Sequence, residues 1–209
     1  MSQEGRSEID EREMNILSTS ISIDKDKAQR VVLKSRQGLI DWVALFFQKS
    51  SRGQERILSS QLIYYPHWLV GAEVKFSCPV SNPRILYAFL GVDGHCGSVS
   101  RAVGYPETEE ILVDGSQVVR CLVTEEEARS VSIRFLQSTY GFKYKKIPEI
   151  NPLEIQRVYK PNLIFSCQKG AREYFRAVDA ETGVRNYMLD IKFRELSYCD
   201  DDRLIGPLV

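Results

Sequence analysis

The sequence predicts an α+β fold of two tandem modules, each a helix packed on an antiparallel β-meander, the two able to share a continuous sheet. Three observations carry that reading: a set of motifs that occurs twice in the same order, apolar positions that alternate as they do in strands, and a capped run of helical periodicity.

The duplication organises everything else. Near residue 65 the chain reads YYPHWLVGAEVKFSC and then ILYAFLGVDGHCGSV; near residue 160 it reads VYKPNLIFSC and then EYFRAVDAETGV. Pro66 answers Pro161, Phe76-Ser77-Cys78 answers Phe165-Ser166-Cys167, and Tyr87 answers Tyr174. Val92-Asp93 with Gly97 answers Val178-Asp179 with Gly183. The first copy is six residues longer between proline and phenylalanine, an even number that keeps the same side chains on the same faces. The chain then divides into a disordered segment over 1–22, a first module over 23–123, a second over 124–198 and a tail over 199–209.

In chain order, the first module opens with a helix beginning near Asp24 and interrupted at Gly38, whose face is completed by Leu39, Trp42, Val43, Phe46 and Phe47. Val70, Ala72, Val74, Phe76 and Cys78 then alternate with Gly71, Glu73, Lys75 and Ser77, the pattern of a strand with one buried face. Ile85 to Val92 is apolar at both parities, which predicts a central strand covered on both sides, lying where the modules meet. In the second module Thr124-Glu125-Glu126-Glu127 fits a capping box, in which hydroxyl and carboxylate satisfy orphan backbone donors reciprocally. Ala128, Val131, Phe135, Leu136 and Tyr140 follow at helical spacing and Gly141 is a plausible stop. Tyr187, Leu189, Ile191 and Phe193 alternate with polar neighbours and read as a strand.

Composition excludes several classes. The 28 basic residues balance the 28 acidic ones over 209 residues, so no overall field draws the chain to nucleic acid or an anionic surface. Five cysteines without a C-x-x-C pair and two histidines predict no zinc site, no disulfide framework and no cofactor. The first twenty residues lack the basic start and apolar run of a secretory signal, and no stretch is long enough to span a bilayer, so a cytoplasmic protein without membrane insertion is expected.

Two sites stand out. Ile63 to Trp68 is an aromatic cluster in which Tyr64, Tyr65, His67 and Trp68 occupy both parities, fitting either an exposed interface or the core between modules. The two Val-Asp-x-x-x-Gly loops carry Asp93 and His95 in one copy and Asp179 and Glu181 in the other. Asp accepts bonds from amides two residues on and Gly takes the positive φ, so the shared residues are those of a turn. The second copy has Thr182 where the first has Cys96, which makes Cys96 an interchangeable turn position.

Gly94-His95-Cys96-Gly97-Ser98 nevertheless resembles the nucleophile loop of viral chymotrypsin-like cysteine proteases, which implies a thiol hydrolase or transferase using Cys96 with His67 as the base. The order helix, strands, then Val-Asp-x-x-x-Gly, carried mostly by AVDAETGVRNYMLDI at Ala177 to Ile191, resembles the PepSY and cystatin-like families of small α+β modules. That resemblance implies a non-catalytic role, regulating or inhibiting peptidases or binding a partner. The function expected is therefore a protein- or peptide-binding regulatory module, not an enzyme, with homo-oligomerisation as one form of partner. The thiol enzyme is the first alternative. RNA or single-stranded nucleic-acid binding through YGFKYKK, Tyr140 to Lys146, is the second.

Overall fold

The structure, a computed structural model, describes residues 13–34, 56–77 and 82–196. The expected helix face at Leu39 to Phe47, Cys78, and the tail with Cys199 lie outside the described residues. In chain order the elements are β1 (Glu13–Thr19), α1 (Lys25–Lys34), β2 (Arg56–Phe76), β3 (Arg84–Asp93), β4 (Val99–Ala102), β5 (Thr108–Asp114), α2 (Glu125–Tyr144), β6 (Glu149–Lys169), β7 (Arg172–Asp179) and α3 (Tyr187–Lys192). The fold is α+β, and the seven strands form one sheet in the order β4-β3-β2-β6-β1-β5 with β7 also paired to β6.

The sheet is organised by β2 and β6, 21 residues each, which pair antiparallel along nearly their whole length. Tyr64 lies opposite Pro161, Tyr65 opposite Lys160, and Pro66 opposite Tyr159. The two Tyr-x-Pro tripeptides thus face each other, and a local twofold runs through the Tyr65 and Lys160 pair. Outside this pair, β3 lines the second half of β2 and β7 lines the second half of β6. Proline is tolerated mid-strand because its nitrogen faces outward, to where β3 and β7 have ended: the carbonyl on that same side of Pro66 accepts from Gly94, and that of Pro161 from Ala180, both at 2.9 Å.

One sheet face carries both longer helices. Trp68, Val70, Ala72 and Val74 of β2 join Ala88, Leu90 and Val92 of β3 beneath Ala128 and Leu136 of α2. Phe165 and Cys167 of β6 with Val178 of β7 pack beneath Ala28 and Val32 of α1. Between them Tyr64 and Tyr159 meet Ile16 of β1, Val113 of β5 and Val118. Each such aliphatic side chain, fully buried, contributes about 2 kcal/mol. On the opposite face α3 and the 3-10 turn Phe193–Glu195 cover Ile63, Tyr65, Ile164 and Ala177.

Several expectations are corrected here. The helix of the second module is not confined to its own meander: α2 covers β2, β3 and, through Ile150 and Ile155, the first half of β6, while α1 covers β7 and the second half of β6. The seats are made by the turns. Gly94 offers its carbonyl to the amides of Leu122 and Val123, just before α2, and Ala180 offers its own to Ser22 and Ile23, just before α1. Residues 13–19, expected to be disordered, form β1, whose Ser18 hydroxyl donates to the Tyr159 carbonyl at 3.1 Å. β3 is second from the edge and alternates, with Ala88, Leu90 and Val92 buried but Ile85 and Tyr87 exposed, so only one of its faces is covered.

Tyr187 to Phe193 is not a strand. Asn186 caps a helix there by accepting from Leu189 N, and Asp190 binds both Arg185 and the amide of Ala177, fixing the turn onto β7. The capping box at Thr124 and Glu127 is present as expected. Gly141 does not stop α2, which runs to Tyr144 and ends at Lys145 with φ of 52°. No helix among the described residues is long and apolar enough to cross a membrane.

Candidate functional site

The two turns are built alike down to individual hydrogen bonds. Asp93 Oδ1 accepts from the amides of His95 at 2.8 Å and Cys96 at 2.9 Å; Asp179 Oδ1 accepts from Glu181 at 2.8 Å and Thr182 at 3.0 Å. Gly97 N donates to the Asp93 carbonyl and Gly183 N to the Asp179 carbonyl, with φ of 71° and 74° at the two glycines. Because β2 and β6 are related by the local twofold, both turns fold over the same central region of the sheet.

Tyr65 lies between them on the α3 face and donates to both oxygens of Asp93, at 3.0 and 3.2 Å. Burial pushes the Tyr65 hydroxyl well above its ordinary value, and the adjacent Asp93 carboxylate pushes it the same way. Burial by itself would raise Asp93, but the two amides and the Tyr65 hydroxyl outweigh it and hold the carboxylate below its usual range. The ring of His95 lies 6.5 Å from that of Tyr65, and the ring of His67 lies 5.5 Å from it. Burial, reinforced by the Lys160 ammonium, lowers His67 to about 4, against the opposing pull of Asp93 and Asp179. His67 is therefore neutral at pH 7.

Beside this cluster opens a cleft of about 580 Å³. Its sheet side is His67, Leu69, Gly91 and Lys160, with Glu181 at the turn, and its other wall is the segment from Ser100 to Pro106. The Lys160 ammonium pairs with a Glu181 carboxylate oxygen at 3.8 Å, an ion pair longer than a hydrogen bond. Tyr105 closes the far end: its hydroxyl donates to the Glu154 carbonyl at 3.3 Å and its ring meets Phe89 edge-on at 5.4 Å. The cleft is thus polar at the turns and apolar towards Leu69, Tyr105 and Pro106, and 580 Å³ is in the size range of ligand pockets.

Of the residues singled out from sequence, Tyr65, His67, Asp93, His95, Asp179 and Glu181 are brought into this one region. Tyr64 and Trp68 are not; strand alternation points them to the helix-covered face. Both are buried, and so is Tyr65, so of the two readings of this cluster the packed one fits these three rings and the exposed interface does not. Trp68 Nε1 donates to the Val123 carbonyl at 2.8 Å, so the ring anchors the segment that leads to α2. Lys160, Gly91 and the wall at 100–106 were missed. Lys160 was in principle detectable as the middle residue of the second Tyr-x-Pro, the twofold mate of Tyr65. The wall carries no motif.

Cys96 is exposed on the turn, its thiol 3.4 Å from the Ser98 hydroxyl, and it does not line the cleft that holds His67. A base at about 4 is also poorly matched to a thiol. Among the described residues no group of three or more His, Cys, Asp or Glu is placed to hold a metal ion. Compared with protein-family models, with curated proteins and with solved structures, the chain finds no match in any of the three.

Proposed function

We propose that this chain is a non-catalytic, protein- or peptide-binding regulatory module, and that its ligand site is the cleft between the 100–106 segment and the centre of the sheet. The observation that carries the reading is the two-ended character of that cleft: the Lys160 and Glu181 ion pair at the turn end, an apolar end at Leu69, Tyr105 and Pro106. A short peptide offers backbone amides and charge to the first and a side chain to the second. Glycine at 91 leaves the floor open. The module reading extends to origin: the matched turns and the antiparallel Tyr-x-Pro pair support two fused copies.

The test is selection of a displayed random-peptide library against the full chain, followed by titration of the enriched peptides on Lys160→Gln and Gly91→Val. The first removes the ammonium; the second puts a strand-compatible side chain on the floor. Peptides that bind the wild type and lose most of their affinity on both variants, with circular dichroism unchanged, support the reading. Peptides that ignore both variants, or no enrichment at all, reject it.

A further inference from the structure

Away from the cleft, where α2 ends beside the last residues of β2 and the first of β3, the surface combines features that nothing above uses. Phe142 is 92% exposed and Ile147 is 76% exposed. Large apolar side chains held out in water at one helix end need a reason when cations surround them. Arg84 lies 5.6 Å from the centre of the Tyr144 ring, Lys143 lies 5.3 Å from it, and Lys146 donates to the Ser77 carbonyl. Lys145 terminates the helix in the left-handed region, and Lys146 and Ile147 follow it directly in the chain. The nearby carboxylate of Glu149 is held by Lys75 at 3.8 Å. The corner is therefore locally cationic in a chain of zero net charge.

We infer that this corner is a docking surface for an anionic lipid bilayer, with Phe142 and Ile147 seated at the headgroup and acyl boundary and Arg84, Lys143, Lys145 and Lys146 against the lipid phosphates and carboxylates. Charge complementarity selects the partner: basic side chains around an apolar tip are what a negative leaflet attracts, and each such cation adds about fivefold to partitioning. Tyr140 and Tyr144 have the amphipathic rings that suit the interfacial layer. A single-stranded nucleic acid fits less well. The tyrosine faces it would stack on are occupied, Tyr144 by Arg84 and Lys143 and Tyr140 by Arg101 at 5.6 Å, and Ile147 offers nothing to a base. The inference stands apart from the cleft, since its residues line no part of it.

The experiment is co-sedimentation of the full chain with vesicles of phosphatidylcholine alone and with about 25% phosphatidylserine. The wild type is expected to bind the anionic vesicles, not the neutral ones, and to release as salt is raised. Lys143→Gln with Lys145→Gln should weaken binding roughly thirtyfold, and Phe142→Ser roughly tenfold or more. All three positions are exposed, so the variants fold. Equal binding to both vesicle types, no binding, or variants that bind like the wild type overturn the proposal. So does salt-sensitive binding of an oligothymidylate, followed by fluorescence anisotropy, that the same variants abolish while vesicles are ignored.

Discussion

Lowering the pH from 7 to 5 should destabilise this protein through His67. Burial and the Lys160 ammonium make the folded protein resist protonating this ring, so it titrates at about 4 where an unfolded chain titrates at its ordinary 6.5. The stability held by the neutral ring is complete above pH 6.5 and is lost as pH falls towards 4, because only the unfolded chain takes up the proton in that window. At pH 5 the loss is about 2 kcal/mol, and below pH 4 it saturates near 3 kcal/mol. Asp93, whose carboxyl is held below its usual range, adds its own loss only at lower pH, so the window between 6.5 and 5 belongs to His67. Urea denaturation followed by circular dichroism at pH 7 and pH 5 measures the difference. His67→Gln, which cannot titrate, should remove most of the pH dependence in that interval. Equal pH slopes for wild type and variant would refute the reasoning, because they would mean that the ring protonates as readily folded as unfolded.

Other outcomes follow from the same geometry. A β-carbon at Gly94 would sit 2.8 Å from the Pro66 carbonyl oxygen and 3.0 Å from the Cys121 sulfur, so Gly94→Ala should cost about 1 to 3 kcal/mol in denaturant titration. Gly104→Ala, with nothing within 4 Å, serves as its near-neutral control. Tyr65→Phe and Asp93→Asn should show coupling of about 1 kcal/mol or more in a double-mutant cycle, since the hydroxyl and carboxylate bond each other in a buried setting; additive costs would mean the bond contributes nothing. Trp68→Ala should lose about 3 to 5 kcal/mol, combining a cavity beneath α2 with the loss of the indole hydrogen bond to the Val123 carbonyl, and a loss under 1 kcal/mol would contradict its place in the core. In native buffer Cys96 should react quickly with a thiol reagent and Cys167, fully buried, only on unfolding; comparable native rates at the two would contradict the packing of β6 under α1.

Local chemistry was legible where a few adjacent residues suffice to define it. The capping box at Thr124 and Glu127 and the two Asp-to-Gly turns close within four residues, so nothing distant can override them. The buried alternation of Val70, Ala72 and Val74 was readable for the same reason. The stretch from Tyr187 misled because its alternation is real but short. Asn186 and Asp190 supply a cap and a tether that only exist once β7 lies alongside, and those bonds outweigh a short period-2 pattern.

What the sequence determined by itself is therefore the inventory: two sets of like parts, their turns, their caps and most of their buried faces. What only the tertiary structure decided is their partnership. That β2 and β6 pair along nearly their whole length, that α2 covers β2 and β3 while α1 covers β7, and that Lys160 and Glu181 come to line one cleft with His67 all depend on contacts far apart in the chain. Periodicity states which face of an element is apolar and never which neighbour will cover it. That choice went to Pro66 and Pro161, where β3 and β7 end and their turns fold back, handing the Gly94 and Ala180 carbonyls to the segments before α2 and α1.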